Sequence, residues 1–81
     1  MKRVVFSQQG RADVRRLERD TAMRIFATLH RFAQTGAGDI KSLQGGRAEL
    51  RLRVGAYPVR FTEEANTIHI IRVLHRKEAY R

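Results

Sequence analysis

Apolar and basic residues alternate from Leu50 to Val54, which puts Leu50, Leu52 and Val54 on one face of a strand and Arg51 and Arg53 on the other. After Gly55-Ala56, Tyr57, Val59 and Phe61 resume the alternation, with Pro58, Arg60 and Thr62 facing the opposite way. The pattern predicts a hairpin with one apolar and one cationic face, although Gly-Ala is not among the strongest turn pairs. Upstream, Val4-Val5-Phe6 reads as a short strand and Ser7 as a helix cap. A first helix is predicted over residues 8–19, with Ala12, Val14 and Leu17 as its few buried contacts and Asp13 and Glu18 interleaved with arginines on a solvated face. The clearest period in the chain follows an expected cap at Asp20. Ala22, Ile25, Phe26, Leu29, Phe32 and Ala33 form one apolar stripe, and Gly36 is placed to stop that helix.

Asp39 to Leu43 is read as extended or one loose turn with Ile40 and Leu43 pinned to the core, and Gly45-Gly46 as a break. Past a polar turn over residues 63–66, Thr67 to Leu74 is rich in β-branched residues on both faces and reads as a central strand. The order β-α-α-β-β-β describes a single α+β domain over residues 1–81. A helical hairpin packs on one face of a mainly antiparallel sheet and leaves a basic face open.

Charge changes this picture most. Seventeen Lys and Arg against eight Asp and Glu give a formal net charge of +9, with lysine only at positions 2, 41 and 77. The planar guanidinium fork suits bidentate phosphate contacts, so the bias points toward nucleic acid; an arginine-rich codon usage would produce the same excess. A chain of this size buries only roughly 60% of its unfolded surface, which favours a tightly bound partner in its working state. There is no cysteine, and Met1-Lys2-Arg3 precedes only three apolar residues, too few for a signal-peptide core. No run approaches membrane length. The expectation is a cytoplasmic protein with no membrane association.

Several chemistries are disfavoured. His69 and His75 lie six strand residues apart, roughly 20 Å, too far to share an ion, and His30 stands beside the apolar stripe. No metal or cofactor is expected. Ser7 and Ser42 fall in turns without a histidine or carboxylate at a recognisable spacing, and Gly45-Gly46-Arg47 precedes a strand and not a helix. What remains is the cationic surface: Arg51, Arg53 and Arg60 on the hairpin, Arg72 and Arg76 on one side of the last strand, and Lys77 and Tyr80 in the tail. Such a surface can clamp phosphates and stack exposed bases, and His75 or Tyr80 could serve as general base toward a ribose 2′-OH. Arginines on an open sheet face are also, more commonly, simply solvated.

The stretches Asp39-Ile40-Lys41-Ser42-Leu43-Gln44-Gly45-Gly46, Leu50-Arg51-Leu52-Arg53-Val54-Gly55-Ala56-Tyr57 and Ile70 through His75-Arg76-Lys77-Glu78-Ala79-Tyr80-Arg81 resemble the RelE/ParE superfamily of bacterial toxins, in its RelE-like branch. The resemblance covers nearly the whole chain. It implies a compact toxin held by a cognate antitoxin, acting on mRNA in the ribosome by metal-independent attack of a 2′-OH on the adjacent phosphate, and meeting operator DNA only through the antitoxin complex. Carried over, it makes Arg51 a contact to the scissile region and Arg53 a phosphate contact. Arg76 becomes the transition-state arginine, Tyr80 the stacking or proton-transferring tyrosine, and His75 a basic neighbour of Arg76. Arg60, Arg72 and Lys77 complete the expected phosphate-binding set.

One position departs. Where the family has an arginine after the hairpin tyrosine, this chain has Pro58, and Arg60 on the same side is the candidate substitute. Two other readings stay open on the same fold. One is a ParE-like inhibitor of DNA gyrase; the other is a catalytically weakened toxin that serves mainly to bind antitoxin and operator.

Overall fold

The computed structural model describes residues 1–42 and 49–75, apart from the Ser42 side chain. Their elements are β1 (Arg3–Phe6), α1 (Gln8–Arg15), α2 (Arg19–Thr35), β2 (Ile40–Ser42), β3 (Glu49–Val54), β4 (Tyr57–Glu64) and β5 (Thr67–Val73). The strands form one sheet in the order β1-β5-β4-β3-β2. β1 runs parallel to β5, and every other neighbouring pair is antiparallel. The β-branched segment is interior, as expected; it ends one residue early at Val73, though the Leu74 N–H still donates to the Pro58 carbonyl at 3.2 Å. The α+β class and the open face stand. The segment read as extended or loosely turned is a short edge strand, β2, joined to β3. The Gly45-Gly46 break and the tail bearing Arg76, Lys77 and Tyr80 lie outside the described residues. Among the described residues no helix is long and apolar enough to cross a membrane.

α2 holds the core together. Ile25, Leu29, Phe32 and Ala33 on its inner stripe bury against Leu52, Val54, Val59, Phe61, Ile68, Ile70 and Val73 of the sheet. Phe32 meets Phe61 edge-on at 5.4 Å. With each buried aliphatic or aromatic side chain contributing about 1.5–3 kcal/mol, this stripe outweighs any local helix propensity. Its margin is looser than the sequence pattern implied, because Phe26 is 41% exposed and only edges onto Phe6 at 5.8 Å. Gly36 adopts φ 75°, a left-handed cap whose N–H donates to the Phe32 carbonyl at 2.8 Å.

α1 is shorter than expected. It stops at Arg15, not Arg19, because the Arg16 and Leu17 N–H groups turn back to the Asp13 and Val14 carbonyls at 3.2 and 3.1 Å. Glu18 then goes extended and caps α2, so the second helix begins one residue before Asp20, which sits in its first turn and complements the dipole. Ala12, Val14 and Leu17 are only half-buried. α1 is positioned by polar contacts instead, lying beside β5 where β1 has ended. The Ser7 hydroxyl accepts the Gly10 N–H at 2.9 Å and donates to the Ile71 carbonyl at 2.8 Å. Gly10 allows this approach, since a Cβ there would stand 3.1 Å from the Ile70 carbonyl oxygen.

Asp13 was expected on a solvated face, and the structure overturns that. It is 5% exposed, the sole buried charged side chain among the described residues. Its Oδ2 accepts the Val73 N–H at 2.9 Å and the Arg72 Nε–H at 2.8 Å, while Oδ1 accepts Arg72 Nη2 and Gln9 Nε2, each at 3.2 Å. The carboxylate thus satisfies a β5 backbone donor that β1 is too short to reach.

Candidate nucleic-acid interface

The pleat of a sheet sends alternate side chains to one face, and strand register then decides which of them stand side by side. Here Lys41 of β2 pairs with Arg51 of β3, Arg51 with Arg60 of β4, and Arg60 with Arg72 of β5. Four cations therefore form one row across four adjacent strands of the open face. A second, shorter row holds Arg53 opposite Pro58. Like charges placed directly opposite one another destabilise a sheet, so such a row needs counter-charge.

Arg72 joins the row through a β-bulge. The β4–β5 register shifts between Arg60 and Phe61: Phe61 pairs with Ile70 and Arg60 with Arg72, leaving Ile71 as the extra residue. Without that insertion Ile71 would face Arg60 and Arg72 would point into the core. The bulge re-aims both Arg72 and Val73. It also separates two histidines that uniform alternation puts on one side. His69 pairs with Thr62 on the open face, whereas His75 packs edge-on against Tyr57 at 5.1 Å. His75 thereby joins Asp13, Arg16, Leu17, Tyr57 and Val73 around a cleft of about 270 Å³.

Counter-charge is distributed unevenly. Asp13 takes the Arg72 guanidinium in a two-pronged grip, and Glu49 takes that of Arg60 through Nε at 2.9 Å and Nη2 at 2.7 Å. Burial pushes the Asp13 carboxyl upward, but the hydrogen bonds from Arg72, the Val73 N–H and Gln9, with the Arg72 charge, outweigh it and hold the group below the ordinary carboxylate value. Lys41 and Arg53 are exposed, and among the described residues neither has a carboxylate within ion-pair distance. They line a pocket of about 130 Å³ together with Asp39, Arg51, Gly55, Ala56 and Pro58.

Of the expected site residues, then, Arg51, Arg53 and Arg60 stand together on the open face. Arg72 is opposite Arg60 but committed to Asp13. His75 lies on the helix side, and Arg76, Lys77 and Tyr80 fall outside the described residues. Lys41 was missed because three residues of alternation, Ile40-Lys41-Ser42, are too few to identify a strand. Pro58 fits its strand. Its carbonyl bonds Leu74 on the β5 side, so its donorless nitrogen also faces that side, past the last residue of β5, and the β3–β4 ladder loses nothing.

Comparison with known proteins places this architecture. The chain matches the family model described as ParE toxin of type II toxin-antitoxin system, parDE, over residues 4–80. Among solved structures it resembles the RelB-RelE antitoxin-toxin complex of Methanococcus jannaschii, at 28% identity and TM-score 0.78 over 94% of each chain. It also resembles the RelE-RelB complex of Pyrococcus horikoshii OT3, at 19% identity and TM-score 0.77 over 93% of this chain and 94% of the other. A third is the toxin-antitoxin complex RelBE2 of Mycobacterium tuberculosis, at 25% identity and TM-score 0.65 over 93% and 98%. No curated protein matches the sequence. A family match over nearly the full length and a shared fold converge on one assignment: the chain belongs to the ParE toxin family of type II toxin-antitoxin systems, within the RelE/ParE superfamily.

Proposed function

We propose that this toxin is a ribosome-dependent mRNA endonuclease that inhibits translation. The observation that carries the reading is the cation row Lys41–Arg51–Arg60–Arg72, with Arg53 beside it, on an open sheet face. Among the described residues Arg60 and Arg72 pair with Glu49 and Asp13, and the Lys41–Arg53 end opens a pocket suited to an anion. In the reaction, a ribose 2′-OH loses its proton and attacks the adjacent phosphorus. The P–O5′ bond breaks, leaving a 2′,3′-cyclic phosphate and a 5′-OH that takes up a proton. The extra negative charge on phosphorus is what clustered guanidinium groups stabilise. In this reading Arg51 and Arg53 hold the reacting region, Arg76 supplies the transition-state charge and Tyr80 or His75 handles the proton, all as the resemblance implies. A cognate antitoxin would neutralise the toxin, since the RelE structures it resembles are complexes with RelB.

Inducible expression in a bacterial host, with mRNA 5′ ends mapped beside an Arg76→Ala control, tests this. Growth arrest with new in-frame cuts that vanish in the control is the expected result. The ParE family match supports a second reading, inhibition of DNA gyrase; arrest without cuts but with a DNA-damage response would establish it in place of the first. Pro58→Arg adds a further test. Arg60 is paired with Glu49, which competes with a phosphate for the guanidinium that would stand in for the family's arginine. The substitution should therefore raise single-turnover cleavage on programmed ribosomes several-fold, and no gain would show that the site does not need a cation there.

A further inference from the structure

We infer that the β2 edge of the sheet carries a second phosphate subsite, built from Lys41 with Arg51 and Arg53, so that the bound RNA strand runs out over β2 and not toward β5. The inference rests on RNA being the substrate, as proposed above. Three interstrand spacings make the cation row roughly 14 Å long, longer than one phosphate needs. Its β4–β5 half is already neutralised, Arg60 by Glu49 and Arg72 by Asp13. At the opposite end Lys41 and Arg53 are exposed, and among the described residues neither has a carboxylate within ion-pair distance.

The pocket there has the scale of a single group. Its volume is about 130 Å³ and it opens to solvent on the sheet face, which leaves room for a phosphate group. Pro58, Gly55 and Ala56 supply uncharged walls, and Asp39 sets one carboxylate against three cations. The Arg53 N–H donates to the Asp39 carbonyl at 2.9 Å, which ties the segment leading into β2 to β3 and fixes Lys41 beside Arg51. The flexible four-carbon stem of Lys41 gives its ammonium reach toward a backbone phosphate adjacent to the scissile one.

The test is the salt dependence of binding by the full chain to a short end-labelled single-stranded RNA, followed by fluorescence anisotropy over roughly 50–200 mM salt. Each phosphate contact to a single strand contributes about 0.7 to the slope of log K against log salt. Lys41→Gln should reduce the slope by about that amount and weaken binding several-fold at low salt, with the difference shrinking as salt rises. Arg31→Gln removes an equal charge from the exposed face of α2 and should leave the wild-type slope. An unchanged slope in Lys41→Gln overturns the subsite, and so does an equal change in both variants, which would mean diffuse attraction. Wild-type protein with no salt-dependent RNA binding would overturn the subsite and the RNA reading together. The expected slopes without in-frame cuts in cells would leave the subsite standing and remove only the cleavage reading.

Discussion

Asp13→Ala is expected to lower the unfolding free energy by about 2–4 kcal/mol, among the larger effects a single substitution can have here. The carboxylate is 5% exposed and collects four hydrogen bonds, one of them from the β5 backbone. Truncation leaves the Val73 N–H without its acceptor at a buried position and strips the Arg72 guanidinium of its partner. Arg72 is about a third exposed, so water recovers part of its loss, which is why the upper end of buried-pair values is not reached. At roughly 4–8 °C per kcal/mol for a domain this small, thermal unfolding should show a fall of more than 8 °C. A change below about 0.5 kcal/mol would mean that the contacts holding α1 against β5 lie elsewhere.

The same residue sets an acid limit. Its carboxyl is held below the ordinary value in the folded state, so the folded chain binds its proton less readily than the unfolded chain. The stabilisation is therefore complete above the unfolded value of about 3.9 and is lost as pH falls through it toward the lower folded value. Asp13→Asn keeps the size and one acceptor oxygen but not the charge. Its stability should lie between wild type and Asp13→Ala near neutral pH, and the gap to wild type should close in acid.

Much of this fold was legible because burial follows period. The α2 stripe, the Leu50–Val54 alternation and the β-branched run each named their buried face, and the sheet assembled from them. What escaped depends on pairing, which no single segment reveals. Asp13 sits among arginines at a spacing normal for a solvated helix; only the ending of β1 at Phe6, which leaves a β5 donor uncovered, makes it a buried cap. The bulge at Ile71 is equally silent in a run of β-branched residues, yet it decides that Arg72 faces out and His75 lies against Tyr57. The cation row was half visible: alternation gave Arg51, Arg53 and Arg60 one face, while register alone put Lys41 and Arg72 in line with them.

That row supports the prediction with the largest effect on activity. Arg51→Gln is expected to cut cleavage on programmed ribosomes by about 10²–10³-fold, the usual cost of one donor to a developing phosphorane charge. Arg51 stands between Lys41 and Arg60, directly opposite both, at the middle of the row. Thermal unfolding of the same variant separates a loss of chemistry from a loss of fold. If the contact forms chiefly in the transition state, kcat and kcat/KM fall together; a rise in KM alone would make Arg51 a binding residue. Retained cleavage in a folded variant would move the chemistry away from the sheet face altogether. Retained growth arrest with a DNA-damage response and no cuts would identify gyrase as the target, leaving the row to serve another acidic surface.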